Sequence, residues 1–333
     1  MNRGVFITFD VECSMGGAWR DPSLKPVPPS RAVWGEFGDR SLGLPLIVEI
    51  LERHALAATF FVEAFIREQG YPGETERICE YLLNHGQDVQ LHIHPNHRHY
   101  GLKQRGQPFS KTDQMADLSP AEQLALLHEG ADRIQRWTGR RPAAFRAGNM
   151  GASEETLKQL EASGIPIDSS YTFPYAGGQC RFGPGEPYNG SKWYGRVLEL
   201  ALSGLRQPRW PGLRPAKPLD LMGISFKECR DAVRLICGAG ADAVLILHSF
   251  SLFKVRTIQY DGGRLNRIVT RRLDRFCEWL ATAREFPTRT FAELAEAVAD
   301  GSYEPCHRPP CLVKHPRAIV RKAVQAWNNL YWT

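Results

Sequence analysis

Four of the ten histidines in this 333-residue chain, His92, His94, His97 and His99, fall within eight residues. Across Asp88-Val89-Gln90-Leu91-His92-Ile93-His94-Pro95 the apolar Val89, Leu91 and Ile93 alternate with Gln90, His92 and His94. This is the two-residue period of a strand, and Pro95 ends it. Two imidazoles on one strand face suit a divalent ion, because neutral imidazole is the commonest zinc-binding side chain and a catalytic centre keeps one position open for water. His92 can act with His94 on the same face, or with His97 past the turn at Pro95. Without an ion, His97 and His99 read as solvated loop residues.

Other groups able to move protons or hold charge also sit where strands end. The segment Val5 to Glu12 is apolar at Val5, Ile7, Phe9 and Val11, while Phe6, Thr8, Asp10 and Glu12 share its other face. Pro142 to Arg146 reads as a strand ending in Arg146, Ile165-Pro166-Ile167 leads into Asp168-Ser169-Ser170, and the apolar run Ala243 to Leu247 delivers His248. Glu12 has a plainer reading as the partner of Arg20 or another cation.

Helical patterns separate these strands. Leu44 to Leu51 has the 3.6-residue period, with Pro45 tolerable in its first turn, and leads to the buried strand Ala57 to Val62. A helix near Glu74 to His85 stops at Gly86 and feeds the histidine strand. Ser119-Pro120-Ala121-Glu122 is a capping box for a helix reaching about Gly139, and further helices are expected over Glu154–Ser163, Ser225–Gly238, Arg264–Glu285 and Phe291–Ala299. The alternation predicts a parallel α/β sheet, and polar residues at successive strand ends favour a closed or nearly closed (β/α) barrel with its site on that face. One unit is expected over residues 1–300, with loop insertions near 14–42, read as a lid or substrate loop, and 173–222; a basic extension follows at 301–333.

Composition narrows the class rather than the chemistry. Hydrophobic residues at 43% and charged residues at 23% are those of an ordinary globular chain. The chain opens directly on a strand pattern, no apolar run approaches about 18 residues, and the eight scattered cysteines read as reduced thiols, so a cytoplasmic location is expected. The net charge of +6 gathers in Arg206, Arg209, Arg214 and Lys217 and in a tail carrying Arg308, Lys314, Arg317, Arg321 and Lys322. Neither stretch has the aromatic interleaving of a nucleic-acid binder. Residues 316–333 place Ala318, Ile319, Ala323, Val324, Trp327, Leu330 and Tyr331 at helical spacing beside those cations. That helix either packs on the domain or rests peripherally on an anionic membrane face. Cys306, His307, Cys311 and His315 match no common zinc spacing.

Ile7-Thr8-Phe9-Asp10, Ala58-Thr59-Phe60-Phe61-Val62, Gly86, Phe145-Arg146-Ala147-Gly148, Asp168-Ser169-Ser170 and Leu245-Ile246-Leu247-His248 occur in an order and approximate spacing that resembles the polysaccharide deacetylases, carbohydrate esterase family 4, with their NodB-homology domain. The resemblance spans about residues 3–299. It implies a distorted (β/α) barrel of the NodB-homology type and metal-dependent removal of an N- or O-acetyl group from a sugar. By position, Asp10 matches the family's catalytic base, His92 its first metal histidine, Arg146 the arginine that orients the base, Asp168 the aspartate that supports the acid, and His248 the general acid.

Two positions depart from the family pattern. Val11 stands where a second, ligating aspartate usually follows the first, and Asn96, flanked by His94 and His97, stands where the second histidine usually falls. The expected ligand set is therefore Glu12 and His92 with either His94, by same-face spacing, or His97, by family spacing. The ion expected is zinc, with cobalt, manganese or nickel as alternatives. The substrate implied is an acetylated sugar or a lipid- or nucleotide-linked glycan intermediate of surface polysaccharide synthesis. The competing readings are an amidase acting on a non-sugar amide and an inactive barrel that binds carbohydrate or a biosynthetic partner.

Overall fold

Eight strands carry the architecture of the computed structural model: β1 (Val5–Val11), β2 (Thr59–Glu63), β3 (Asp88–Ile93), β4 (Ala144–Ala147), β5 (Ile167–Asp168), β6 (Asn189–Tyr194), β7 (Val197–Leu200) and β8 (Ala243–His248). They lie side by side in the order β8-β1-β2-β3-β4-β5-β7-β6. All neighbours are parallel except β6, which runs antiparallel to β7. The sheet curls on itself, because Ser203, just past β7, exchanges hydrogen bonds with Val244 on β8 at 3.1 and 2.9 Å. The result is a curled, distorted (β/α) barrel. The structure describes residues 3–183, 185–207, 215–312, and 320, 321, 324, 325 and 328. Arg209, Arg214, Lys314, His315, Arg317, Lys322, Trp327, Leu330 and Tyr331 lie outside the described residues.

Strand alternation divides the core in two. Phe6, Phe61, Ala144, Ile167, Leu198 and Val244 point into the barrel, where Phe291 and Leu294 of the helix Phe291–Ala299 close the lower end. Ile7, Phe9, Phe60, Leu91 and Phe145 point outward under the helices. These include Leu44–Arg53, Glu74–Asn84, Pro120–Thr138, Glu154–Ser163, Phe226–Gly238 and Arg267–Ala283. Both faces of a parallel sheet are covered in this arrangement, as its backbone requires. Capping boxes at Ser119/Glu122, Ser225/Glu228 and Thr290/Glu293 satisfy helix N–H groups, each contributing about 1 kcal/mol.

Three features differ from the sequence-based expectation. Pro95 begins a helix, Pro95–Gln104, rather than a loop, because its fixed φ suits the first helical position. That helix buries His97 and His99, which are 3% and 8% exposed and so are not solvated loop residues. The insertion near 173–222 contributes β6 and β7 as a hairpin and the short pair Gly204–Arg206/Ala216–Pro218. Residues past 300 rejoin this region: His307–Arg308 pairs with β6, and Cys311–Leu312 pairs with Gly204–Arg206. Arg321 is 4% exposed and donates to Glu228 and Gln207, so this tail cation faces the barrel rather than solvent. No described helix is long and apolar enough to cross a membrane.

Candidate active site

The inward positions of β1 to β4 and β8 become polar toward the strands' C-terminal ends. Asp10 is in register with Phe61 on one side and His248 on the other, while Glu63, His92 and Arg146 are in register across β2, β3 and β4. Arg146 reaches back across the barrel mouth with its guanidinium 3.9 Å from the Phe61 ring centroid and donates to Asp10 Oδ1 at 2.6 Å. Its remaining hydrogen bonds go to Thr8 Oγ1, Ser169 O and Ser169 Oγ at 3.0, 3.0 and 3.1 Å. Burial pulls the guanidinium down from its ordinary pKa, and Asp10 offsets part of that pull. The arrangement holds one Asp10 oxygen and leaves Oδ2 without a hydrogen bond among the described residues.

Glu12, His92 and His94 present one ligand atom each, all within 4.8 Å of one another. His92 Nε2 lies 3.1 Å from Glu12 Oε2, and His94 Nε2 contacts the same oxygen. His92 Nδ1 is 2.8 Å from the Arg146 carbonyl, which can only accept, so Nδ1 carries a proton and Nε2 is the nitrogen turned toward Glu12. His94 Nδ1 is 3.0 Å from both Asp113 oxygens, so its ring is oriented in the same sense by a carboxylate. Two imidazole nitrogens and one carboxylate oxygen are the donor set of open catalytic zinc centres. Of the two candidates for the second histidine, His94 is in this group. His97 stacks behind it with ring centroids 4.9 Å apart and turns Nδ1 toward the fully buried Glu63 Oε2 at 3.4 Å.

The electrostatics fit a cation at this point. Burial alone would raise the Glu12 pKa, but the charge of His94 and hydrogen bonds from His92 and His94 hold it well below the ordinary carboxylate value. Burial disfavours charge on His94, yet Asp113 and Glu12 raise its pKa well above the ordinary imidazole value. Two carboxylates thus demand positive charge in a buried pocket, which an imidazolium or a divalent ion supplies.

Asp168 is not beside His248. Ile167 faces the barrel interior, so strand alternation turns the buried Asp168 to the outer face of the sheet. There it accepts from Ser170 Oγ and N at 2.7 and 3.1 Å and meets its register partner Glu199. Burial, and then the charge of Asp168, raise the Glu199 pKa well above its ordinary value. His248 instead stacks on Phe250 at 4.9 Å and places Nε2 3.9 Å from Glu12 Oε1. Asp220 also lies within electrostatic reach of His248: burial raises its pKa and the His248 imidazole pulls it partly back.

Glu63, Asp113 and Asp220 were missed by the sequence reading. Glu63 ends β2, the same strand-end signal that marks Asp10, and its Oε2 accepts from the His94 backbone N–H at 2.6 Å. Asp113 and Asp220 lie in loops and carry no periodic signal. Replacing Asp113 with alanine is expected to weaken divalent-ion binding by about 10–100-fold, measured by calorimetry on chelator-treated protein, because His94 loses the partner that fixes its ring. Gly148 has a related role. A Cβ there would lie 2.5 Å from His94 Cγ and Nδ1, so Gly148→Ala is expected to displace the imidazole and lower ion affinity at least about tenfold in the same titration.

Fold and site together define a NodB-type distorted barrel with a two-histidine, one-carboxylate group at the C-terminal mouth of its strands. Among solved structures, a candidate polysaccharide deacetylase from Mycobacterium smegmatis superposes with a TM-score of 0.54 and 16% identity over 94% of this chain and 95% of that one. The Xyl-CE4 domain of a multidomain xylanase from the hindgut metagenome of Trinervitermes trinervoides covers 95% of this chain and 98% of its own, with 13% identity and a TM-score of 0.45. The peptidoglycan deacetylase PdaC from Bacillus subtilis aligns over 90% and 93% at 16% identity, with a TM-score of 0.41. The first of these, superposing over nearly the whole of both chains, shows that the chain shares that protein's fold. No family model and no curated protein matches the sequence.

Proposed function

We propose that the protein is a metal-dependent deacetylase that hydrolyses an N- or O-acetyl group on a sugar or glycan intermediate, in keeping with a role in surface polysaccharide synthesis. One observation carries this reading: Glu12, His92 and His94 bring one ligand atom each to within 4.8 Å of one another, with His248 beside Glu12 and the Arg146-bound Asp10 in register with His248. A divalent ion bound by these three residues supplies Lewis acidity toward an acyl oxygen and lowers the pKa of a water.

The chain's own residues do the rest. Asp10, held in place by the Arg146 guanidinium on Oδ1, removes the proton from the attacking water through Oδ2. Oxygen bonds to the acetyl carbon, and the bond from that carbon to the sugar nitrogen or oxygen breaks. His248, partly open to the mouth, delivers a proton to that departing atom, so acetate and the free amine or alcohol leave. The Arg146 guanidinium lies on the Phe61 ring and is fully buried, which keeps water from competing for Asp10 Oδ1.

The test is metal analysis joined to acetate release. The purified protein is expected to hold about one divalent ion per chain, lost on His92→Ala, and to release acetate from some member of a panel of free, nucleotide-linked and lipid-linked acetamido and acetylated sugars. An ion-free protein that releases no acetate on metal addition sinks the proposal. Acetate released only from non-sugar amides reassigns the substrate class.

A further inference from the structure

Glu63 is the last residue of β2, and its side chain is completely buried. Oε1 accepts from the Phe65 N–H at 2.8 Å, and Oε2 accepts from the His94 N–H at 2.6 Å. Both oxygens are committed to backbone donors, and Glu63 is not among the residues that bring a ligand atom to the Glu12 group. Burying a carboxylate costs far more than burying an apolar side chain of the same length, so what this one secures is the feature to explain.

It secures the junction at His94. β3 ends at Ile93, which pairs with Ala147, and Pro95 has no N–H with which to carry the ladder further. His94 therefore lies past the last paired residue, at the N-cap of the helix Pro95–Gln104. A helix commonly secures that end through the cap's own side chain or an acid in its first turn. This one has neither, because the His94 imidazole is turned to Glu12 and Asp113. Glu63 supplies a carboxylate there from the neighbouring strand. The Ala64 N–H, donating to the His92 carbonyl at 3.2 Å, ties the same two strand ends together. Glu63 Oε2 also lies 3.4 Å from His97 Nδ1, and the His97 ring stacks on that of His94 with planes 21° apart. One carboxylate thus touches both the main chain that carries the His94 ring and the side chain that backs it.

We infer that Glu63 is a positioning residue for the second histidine of the ion-binding group: it sets where His94 Nε2 stands relative to Glu12 and His92 without itself being a ligand. His92 has no need of such a device, since it lies within the ladder and its Nδ1 is held by the Arg146 carbonyl at 2.8 Å. The inference rests on the metal-dependent reading and adds to it the residue that makes a histidine outside the sheet as well placed as one inside it.

The experiment titrates cobalt(II) into the chelator-treated full chain and follows calorimetric affinity together with the visible absorption of the bound ion, which reports ligand geometry. Glu63→Gln keeps the side-chain length but offers one oxygen to two N–H donors and sets an NH2 group against the other. It is expected to bind cobalt about tenfold or more weakly and with an altered visible spectrum. Asp242→Asn is the control: Asp242 is also buried, accepts from the Gly4 N–H and the Tyr303 hydroxyl at 2.7 Å each, and precedes β8 at the opposite end of the strands. That variant is expected to lose thermal stability and to keep the wild-type affinity and spectrum. Unchanged affinity and spectrum in a folded Glu63→Gln overturn the inference and leave the metal site standing. The same losses in Asp242→Asn also overturn it, since destabilisation alone would then account for them. A wild-type chain that binds no cobalt removes the metal-dependent reading and the inference together. Hydrogen exchange on the ion-free wild type needs no variant. The His94 amide is expected to be protected, because its acceptor is already in place, and an amide that exchanges as freely as an exposed loop overturns the inference even where Glu63→Gln fails to fold.

Discussion

Asparagine at position 10 is expected to lower acetate release by about 10²–10⁴-fold while leaving the bound ion in place. The substitution preserves an oxygen for Arg146 Nη1, now 2.6 Å from Asp10 Oδ1, and so keeps the barrel mouth packed. What it removes is the only function an amide cannot reproduce, acceptance of a proton at Oδ2. Glu12, His92 and His94 are separate from that carboxylate in the coordinating group, so ion content and calorimetric ion affinity are expected to match wild type. The two readouts together discriminate between base and ligand. If Asp10→Asn loses the ion, Asp10 belongs to the ligand set and the assignment of the base is wrong. If acetate release stays near wild type, no proton moves through Asp10.

Arg146→Met is expected to be the most destabilising single change at the site. The guanidinium is fully buried and balances Asp10, itself 2% exposed, while the charge of the Asp168/Glu199 pair reaches it from the other side. Removing one partner of a buried ion pair strands the other and typically costs about 3–5 kcal/mol. For a chain of this size that corresponds to a Tm lower by about 4–7 °C. Methionine fills much of the aliphatic volume, so the loss reports the stranded charge more than a cavity. The double variant Asp10→Asn/Arg146→Met supplies the control, because neutralising the stranded carboxylate is expected to recover part of the lost stability. A single variant as stable as wild type, or a double variant with purely additive losses, would mean that the pair contributes little to holding the mouth together.

The two positions differ in how far the sequence announced them. Asp10 and Arg146 each close a strand on the polar side of an alternating pattern, and a parallel sheet brings all such ends to one rim. Their direct contact, by contrast, comes from the curl of β1 to β4, which lets Arg146 pass over Phe61. His94 against His97 shows the limit from another direction. Same-face spacing favoured His94, but only the helix beginning at Pro95 turns His97 onto Glu63 and away from Glu12. Asp168 was misplaced because its strand is two residues long, too short for alternation to reveal which face it occupies.

Period-two alternation, punctuated by Pro and Gly and by capping boxes, was enough to determine the order of strands and helices, the barrel class and the rim on which Asp10, Glu12, His92, Arg146 and His248 collect, because backbone geometry ties side-chain direction to residue spacing within an element. Tertiary structure alone decided that Asp113 and Gly148 fix the His94 ring, that Asp220 rather than Asp168 lies on the His248 side, and that Arg321 pairs with Glu228. Those contacts join loops and tail to strands and helices far away in the chain, and their distances depend on how the sheet closes, a property that no local run of residues encodes.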